Sequence, residues 1–426
     1  MKNNWKWLYP GIGVKRWMFL IAISFILISV GIFFLIDFQL FSFIESRIVG
    51  FLVPLVGSIS SSMIRTVIAA IFIITGLWGV NAAFKGAFRN FSKNKTQREI
   101  VDQLYQEKIL EQGPRVVALG GGTGLSNLLR GIKKYTSNIT AVVTVADDGG
   151  SSGKLRDELD MLPPGDIRNC LVALADVEPL MKDLFQYRFS SEGHLVGHSF
   201  GNLFIASLTE ILGDFEEAVK ESSRVLAIKG QVLPATNENI RLGALYSDKS
   251  IKIGESVIPE LDKKIEKVFL KPSSCKPTSE ALAAIQEADI IVVGPGSLYT
   301  SILPNLLVDG IGDAIDKSKA VKYYICNVMT QPGETSGYSA SDHIQAIIDH
   351  IDKNIFDRII VNKEQGSKKL AKKYEEEGAY PVETDYKELN KLEIEIMEGN
   401  LLTHEDYIRH DPEELARLIF KKAESR

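Results

Sequence analysis

The sequence predicts an α/β domain with a parallel sheet between helix layers, preceded by an N-terminal transmembrane helical hairpin. Three observations carry this reading. Two uncharged apolar runs stand near the start, several continuous apolar β-like runs follow from residue 115 onward, and those runs break into glycine-rich loops that open helices.

The first apolar run, residues 17–36, reads WMFLIAISFILISVGIFFLI. About 20 residues rising about 1.5 Å each cover a hydrocarbon core of roughly 30 Å. A second run occupies residues 66–84. The first is too long for the apolar core of a signal peptide, and no small-residue cleavage site lies before the second, so residues 1–84 are assigned to a membrane hairpin. Lys2, Lys6, Lys15 and Arg16 precede the first span, while Lys85, Arg89, Lys93, Lys95 and Arg98 follow the second. By the positive-inside rule this is a multi-pass cell-membrane protein with both termini and the soluble domain cytoplasmic. The uncharged stretch 48–64 is then an outer loop or an interfacial segment.

Charge divides the chain in the same place. Residues 1–98 carry a net +9, so the rest carries −14 of the overall −5. An acidic soluble part argues against general nucleic-acid binding, whereas the basic flanks suit the anionic surface of a lipid bilayer. Cys170, Cys275 and Cys326 are odd in number and form no C-x-x-C, as expected of reduced thiols packed as small apolar residues.

Residues 85–112 are polar, with Ile100, Val101, Leu104 and Tyr105 at helical spacing, and end at Gly113-Pro114, a helix stop. They read as a juxtamembrane linker helix leading into one domain, residues 113–426. Strand candidates there are Val116–Leu119, Ala141–Val145, Ile290–Val293, Val321–Cys326 and Ile359–Val361. Continuous apolar runs mean burial on both faces, hence a parallel sheet. Right-handed crossovers gather the loops after these strands along one edge, where ligands of open α/β sheets bind. Asp411, Pro412, Glu413 and Glu414 form a helix start, which predicts a final helix. The Lys/Glu-rich stretch 363–377 reads as a solvated helix face.

Several of those loops carry chemistry. Gly121, Gly122, Thr123 and Gly124 lie between a strand and a helix, so glycine allows close backbone approach and the helix N-terminus favours an anion. Leu125 breaks the G-x-G-x-x-G spacing, and no Gly-Lys-Ser/Thr follows, which disfavours an ordinary dehydrogenase or a P-loop enzyme. Asp147 and Asp148 end the second strand, where nucleotide-binding folds place an acid on the ribose; one suits a sugar and the other, Asp148, a Mg²⁺ ion or a basic group. Gly150, Ser151 and Ser152 add donors. The competing reading of this segment is an Asx turn with solvated acids.

Asp166, Arg168 and Asn169 precede the helix CLVALADV, where Asp166 is either a helix cap or part of a site loop. His194 and His198 are four apart, but Gly193 and Gly197 argue against one continuous helix and so against a shared metal. His198 and Asn202 are candidates for ligand contact or acid–base work; His343, His350, His404 and His410 are read as structural. Gly294, Gly296 and Ser297 form another loop after an apolar strand, and 329–335 a further one.

Taken together, VVALGGGTGLSNLLRGIK, ADDGGSSGKLR, PPGDIRNCLVALA, GHSFGNLFIASL, GPGSLYTSILPNLL and CNVMTQPGETSGYSASDHI resemble the YvcK-like gluconeogenesis factor family. That family is similar to the CofD-like 2-phospho-L-lactate transferases. The resemblance covers about residues 113 to 426 and implies a Rossmann-like three-layer domain that binds a UDP-sugar such as UDP-N-acetylglucosamine. It further implies a link to cell-envelope synthesis, cell shape and growth on gluconeogenic carbon sources. Carried over by motif, Gly121, Gly122, Thr123 and Gly124 meet the diphosphate, Asp147 or Asp148 the ribose or a metal, and Asn202, Gly296 and Ser297 the rest. The hairpin departs from the plain soluble pattern of the family.

Two functions follow as expectations. One is a membrane-tethered UDP-sugar-binding regulator of envelope precursor metabolism, with envelope-synthesis proteins or further copies of itself as partners. The other is a Mg²⁺-dependent transferase of a phospho-group from a nucleotide diphosphate donor, with Asp148 on the metal and Asp166 or His198 assisting the acceptor. A nicotinamide-dependent hydride transferase ranks third.

Overall fold

A computed structural model describes residues 15–36, 61–91, 108–176, 179–190, 193–261, 263–364, 368–403 and 408–423. The chain divides into two units at Gln106/Glu107. Most of the expected linker, together with the stretch 37–60 and His404, lies outside the described residues.

The first unit contains helices α1 (Lys15–Ile36) and α2 (Ser61–Phe91), both long and apolar enough to cross a membrane. Helix α2 runs seven residues past the expected end at 84, because Lys85, Gly86 and Ala87 offer no break. The helices meet through small residues. A Cβ on Gly31 would lie 2.7 Å from Ile73 Cγ1, and one on Gly79 would lie 2.3 Å from Ser24 Oγ. Close backbone approach of this kind supports association of apolar helices.

The second unit is built on a seven-stranded parallel sheet in the order β10-β9-β8-β7-β1-β2-β3. Its strands are β1 (Val116–Gly120), β2 (Ile139–Val143), β3 (Gln231–Pro234), β7 (Ile290–Val293), β8 (Val321–Ile325), β9 (Arg358–Asn362) and β10 (Glu395–Gly399). Every residue of β1, β2 and β7 is buried, as continuous apolar runs require of strands covered on both faces. The register sets Val116 against Ile139 on one side and Ile290 on the other.

Helices flank this sheet. In chain order they are α3 (Gly122–Ile132), α4 (Gly150–Leu159), α5 (Gly165–Leu174), α6 (Pro179–Gln186), α7 (Phe200–Leu212), α8 (Phe215–Val225), α9 (Ser279–Glu287), α10 (Leu303–Leu306), α11 (Ile311–Lys317), α12 (Ala340–Ile351), α13 (Lys368–Glu376), α14 (Tyr386–Lys391) and α15 (Pro412–Ala423). The final helix starts as expected, with Asp411 Oδ1 accepting the N–H groups of Glu413 and Glu414. All three cysteines are free and buried.

Between β3 and α9 the chain leaves the sheet as a small antiparallel arm, β4 (Arg241–Tyr246), β5 (Ile251–Ile253) and β6 (Ile265–Lys271), in the order β5-β4-β6. Tyr246 is buried in it and donates its hydroxyl to Ile258 O at 3.1 Å. The arm is absent from the expectations above because its strands alternate with Lys, Glu and Arg.

Candidate functional site

Chain direction reverses across the sheet between β1 and β7. The chain leaves β1 toward β2 and leaves β7 toward β8, so their carboxyl ends open side by side, where ligands enter such sheets. The loops after β1, β7 and β8 enclose a cleft of ≈ 670 Å³, with Gly121, Gly122, Thr123, Gly124, Gly296 and Ser297 in its wall.

The glycines there have different reasons to be glycine. Gly122 has φ +61, and a Cβ on it would meet nothing nearer than Ser301 Oγ at 3.8 Å, so its bare face looks into open space. A Cβ on Gly124 would instead strike Pro295 O at 2.3 Å, which makes Gly124 the contact that lets the β1 and β7 loops close together. Helix α3 starts with no side-chain cap from Gly121; the Gly122 N–H is taken by Asp166, and the rest of its first turn, with the positive end of its dipole, faces the cleft as an anion site would.

Side-chain amides fix the opposite wall. Asn305 Nδ2 donates to Gly120 O at 3.0 Å and Ser301 O at 2.8 Å, tying the two strand ends together. Asn327 Nδ2 donates to Gly296 O at 2.9 Å, and Gln331 Nε2 donates to Ser297 Oγ at 2.8 Å.

Two cleft carboxyls are held above their ordinary range. Burial pushes Glu334 up to about 7, although Thr300 Oγ1 (3.1 Å) and Tyr299 N–H (3.2 Å) donate to it. Burial, then the neighbouring charges of Asp147 and Asp166, push Glu255 up to about 8. Glu255 was not singled out from sequence because it belongs to the unrecognised arm.

The remaining wall comes from late in the chain and corrects two expectations. Tyr374 and Glu377, from the stretch read as a solvated face, line the cleft, and Tyr374 Oη accepts the Ile408 N–H at 3.2 Å. His410, read as structural, also lines it; burial lowers its pKa to about 4, and its carbonyl accepts Asn127 Nδ2 at 2.5 Å. Arg409 lies beside it. By contrast His350 Nε2 accepts the Val268 N–H at 3.0 Å and His343 Nδ1 pairs with Ser339 O at 2.8 Å, as structural histidines do.

A second group of expected site residues gathers at the end of β2, outside the wall of this cleft. Ser151 Oγ lies 3.1 Å from His198 Nδ1 and accepts Asn202 Nδ2 at 3.0 Å. Ser199, the cap of α7, accepts the Asn202 N–H and a bond from the buried Arg168 guanidinium, which also reaches Asn169 Oδ1 at 2.8 Å. Burial lowers Arg168 to about 10. Ser152 is buried against Gly165, where a Cβ would come within 2.3 Å of its Oγ, and Gly150 takes φ +50 at the start of α4. Gly294, with φ +86, packs behind its loop against Ile325 O.

The paired acids differ in role. Asp147 Oδ1 accepts the Gly149 N–H at 2.9 Å, the Asx turn weighed above. Asp148 uses both oxygens on the arm, accepting Glu255 N–H at 3.0 Å and Ser256 N–H at 2.9 Å. Among the described residues no group of three or more His, Cys, Asp or Glu is placed to hold a metal.

Asp166 joins the two groups. It is not a cap, since α5 begins at Gly165 with Pro164 before it. Burial and then Asp147 raise it to about 6, against a hydrogen bond from the Gly122 backbone. The acid thus reaches the first turn of α3 from the first turn of α5.

Comparison with known proteins agrees with this architecture. The family model described as 2-phospho-L-lactate transferase CofD matches residues 116–402. A putative gluconeogenesis factor of Nostoc sp. is 44% identical over 98% of this chain and 92% of its own. The gluconeogenesis factor of Bacillus subtilis is 52% identical over 72% of this chain and 98% of its own. A crystal structure of a protein from Bacillus halodurans, 53% identical, superposes with a TM-score of 0.71 over 72% of this chain and 99% of that one. The Nostoc match extends through the apolar N-terminal segment, so that segment is not peculiar to this chain. The chain belongs to the CofD family, in the branch whose members are named gluconeogenesis factors.

Proposed function

We propose that this protein is a membrane-tethered, cytoplasmic regulator that binds a UDP-sugar, such as UDP-N-acetylglucosamine, and through it adjusts cell-envelope precursor metabolism and cell shape. The observation that carries the reading is the glycine-rich first turn of α3, Gly122 to Gly124, inside the ≈ 670 Å³ cleft at the β1/β7 reversal. A diphosphate set there receives backbone N–H groups and the helix dipole. The Asn327 and Gln331 amides, with Tyr374, Arg409 and His410, line the rest of the cleft and supply the polar and aromatic contacts a nucleoside and a sugar need. The two apolar helices support tethering, with the basic flanks facing the cytoplasm.

Regulation rather than turnover is favoured because two of the three groups expected to do chemistry are committed elsewhere, Asp148 to the arm and His198 to Ser151, while Asp166 is bound to the Gly122 backbone. The transferase reading rests on Glu255 and Glu334, carboxyls in the cleft that keep protons near neutral pH. Calorimetric titration of residues 107–426 with UDP-N-acetylglucosamine, GDP and NAD, with each ligand recovered afterwards, separates the two. Saturable binding of intact UDP-sugar supports the regulator. Guanine preference, or any consumed ligand, transfers the assignment to a phospho-group transferase.

A further inference from the structure

The arm turns one face inward and leaves the other uncovered. Alternation along its paired strands sends Leu242, Ala244, Val268 and Leu270 to one side, where all four are buried. The opposite side carries Leu245 and Phe269, both half-buried, with Ile251 58% and Ile253 42% exposed. The register aligns these side chains: Leu245 stands opposite Ile251, and Gly243 lies between Ile253 and Phe269. A Cβ on Gly243 would lie 2.5 Å from Phe269 Cζ, so the aromatic ring rests on bare backbone and the apolar strip runs unbroken across the three strands.

Charge on this face has one sign. The remaining outward positions of β4 and β6 are Arg241, Lys267 and Lys271, with no acid among them. Arg241 pairs with Asp157 at 2.8 Å, whereas Lys267 and Lys271 form no ion pair among the described residues. Elsewhere in the arm, Glu266 is taken by Lys249 at 2.8 Å and Asp248 by Lys263 at 2.5 Å. Strand β5 leads through Gly254 into Glu255, whose N–H is held by Asp148 and which lines the ligand cleft. The uncovered face therefore adjoins the part of the arm that supplies the cleft.

We infer that the outer face of the arm is a docking surface for an acidic amphipathic helix of a partner protein. A sheet face that carries an apolar strip is covered by a helix laid along it. The unpaired lysines at its border match a helix whose apolar stripe is flanked by Glu or Asp. A second copy of this chain fits less well, because a two-fold contact of this face sets Lys267 and Lys271 against the same cations. The inference goes beyond the ligand reading and stands apart from it, so its test contains no nucleotide.

Residues 107–426 serve for the test, since a relative consisting of this unit alone has been crystallised. The probe is a fluorescently labelled synthetic helix with leucines at every third and fourth position and glutamates between them; a second probe carries lysine in place of each glutamate. Expected is saturable binding of the glutamate helix alone, with hydrogen-exchange protection gained over residues 241–271. Ile253→Ser weakens that binding roughly tenfold. Lys267→Glu combined with Lys271→Glu abolishes it, and the lysine helix then binds the double variant in its place. All three substituted side chains are exposed, and thermal melts confirm that the variants fold. Absence of glutamate-helix binding, equal binding of both helices, protection gained elsewhere, or a charge exchange that fails to switch the preference overturns the inference. Sedimentation and flotation with phosphatidylglycerol vesicles are run alongside: a dimer, or vesicle binding, that is lost in the double variant gives this face to a second copy or to a lipid surface and likewise overturns it.

Discussion

Asp148 holds the backbone of Glu255. Its Oδ2 accepts the Glu255 N–H at 3.0 Å while Oδ1 takes Ser256, so an acid at the end of β2 positions a carboxyl in the cleft from 107 residues away. Losing two charge-assisted bonds in Asp148→Ala is expected to cost about 2–4 kcal/mol in denaturant unfolding. Ligand affinity falls in the same variant, equally with and without Mg²⁺. A loss seen only when Mg²⁺ is present would instead make Asp148 a metal ligand.

Gly122 and Gly124 predict opposite phenotypes two residues apart. Gly122→Ala strains a left-handed residue by about 1–2 kcal/mol but clashes with nothing, so the protein folds and loses affinity. Gly124→Ala collides with Pro295 O and is expected to lose roughly 3 kcal/mol of stability. Thermal melts and titrations of the two variants, side by side, decide whether one glycine serves the ligand and the other the packing.

That distinction also marks what the sequence made legible. The strands of the sheet centre were readable because β1, β2 and β7 are unbroken apolar runs, and the glycine loops were readable because each follows such a run. The arm was not, since Arg241, Lys252 and Lys267 interrupt its pattern and only long-range pairing makes it a sheet. Tyr374 and His410 were missed for a related reason: their roles depend on chain brought back to β1 from more than 200 residues away, for which no local signal exists. The division of the predicted site into a cleft and a separate Ser151–His198–Asn202 network was equally invisible in one dimension.

The network predicts a structural cost. Ser151→Ala leaves His198 Nδ1 and Asn202 Nδ2 without their shared partner in a buried setting. A loss of about 1–3 kcal/mol in chemical denaturation is expected, with UDP-sugar affinity changed less than by any cleft substitution.

Stability should also depend on pH through Glu334. Its folded pKa, about 7, lies above its ordinary 4.5, so its contribution is complete below pH 4.5 and is lost as pH rises through 7. Glu334→Gln is expected to flatten this fall in unfolding free energy between pH 5 and 8. His410 acts oppositely: lowered from 6.5 to about 4, it withdraws stability as pH drops through that window. Denaturation curves of Glu334→Gln with an unaltered alkaline slope would remove Glu334 as the cause.

The central claim is that the cleft at the β1/β7 reversal holds a nucleotide sugar by the open end of α3. A crystal structure of residues 107–426 with UDP-N-acetylglucosamine tests it most directly. The account predicts the diphosphate against the N–H groups of Thr123 and Gly124, with the sugar bond intact. Density for the ligand at the Ser151–His198 network, or a cleaved ligand in the cleft, would contradict it.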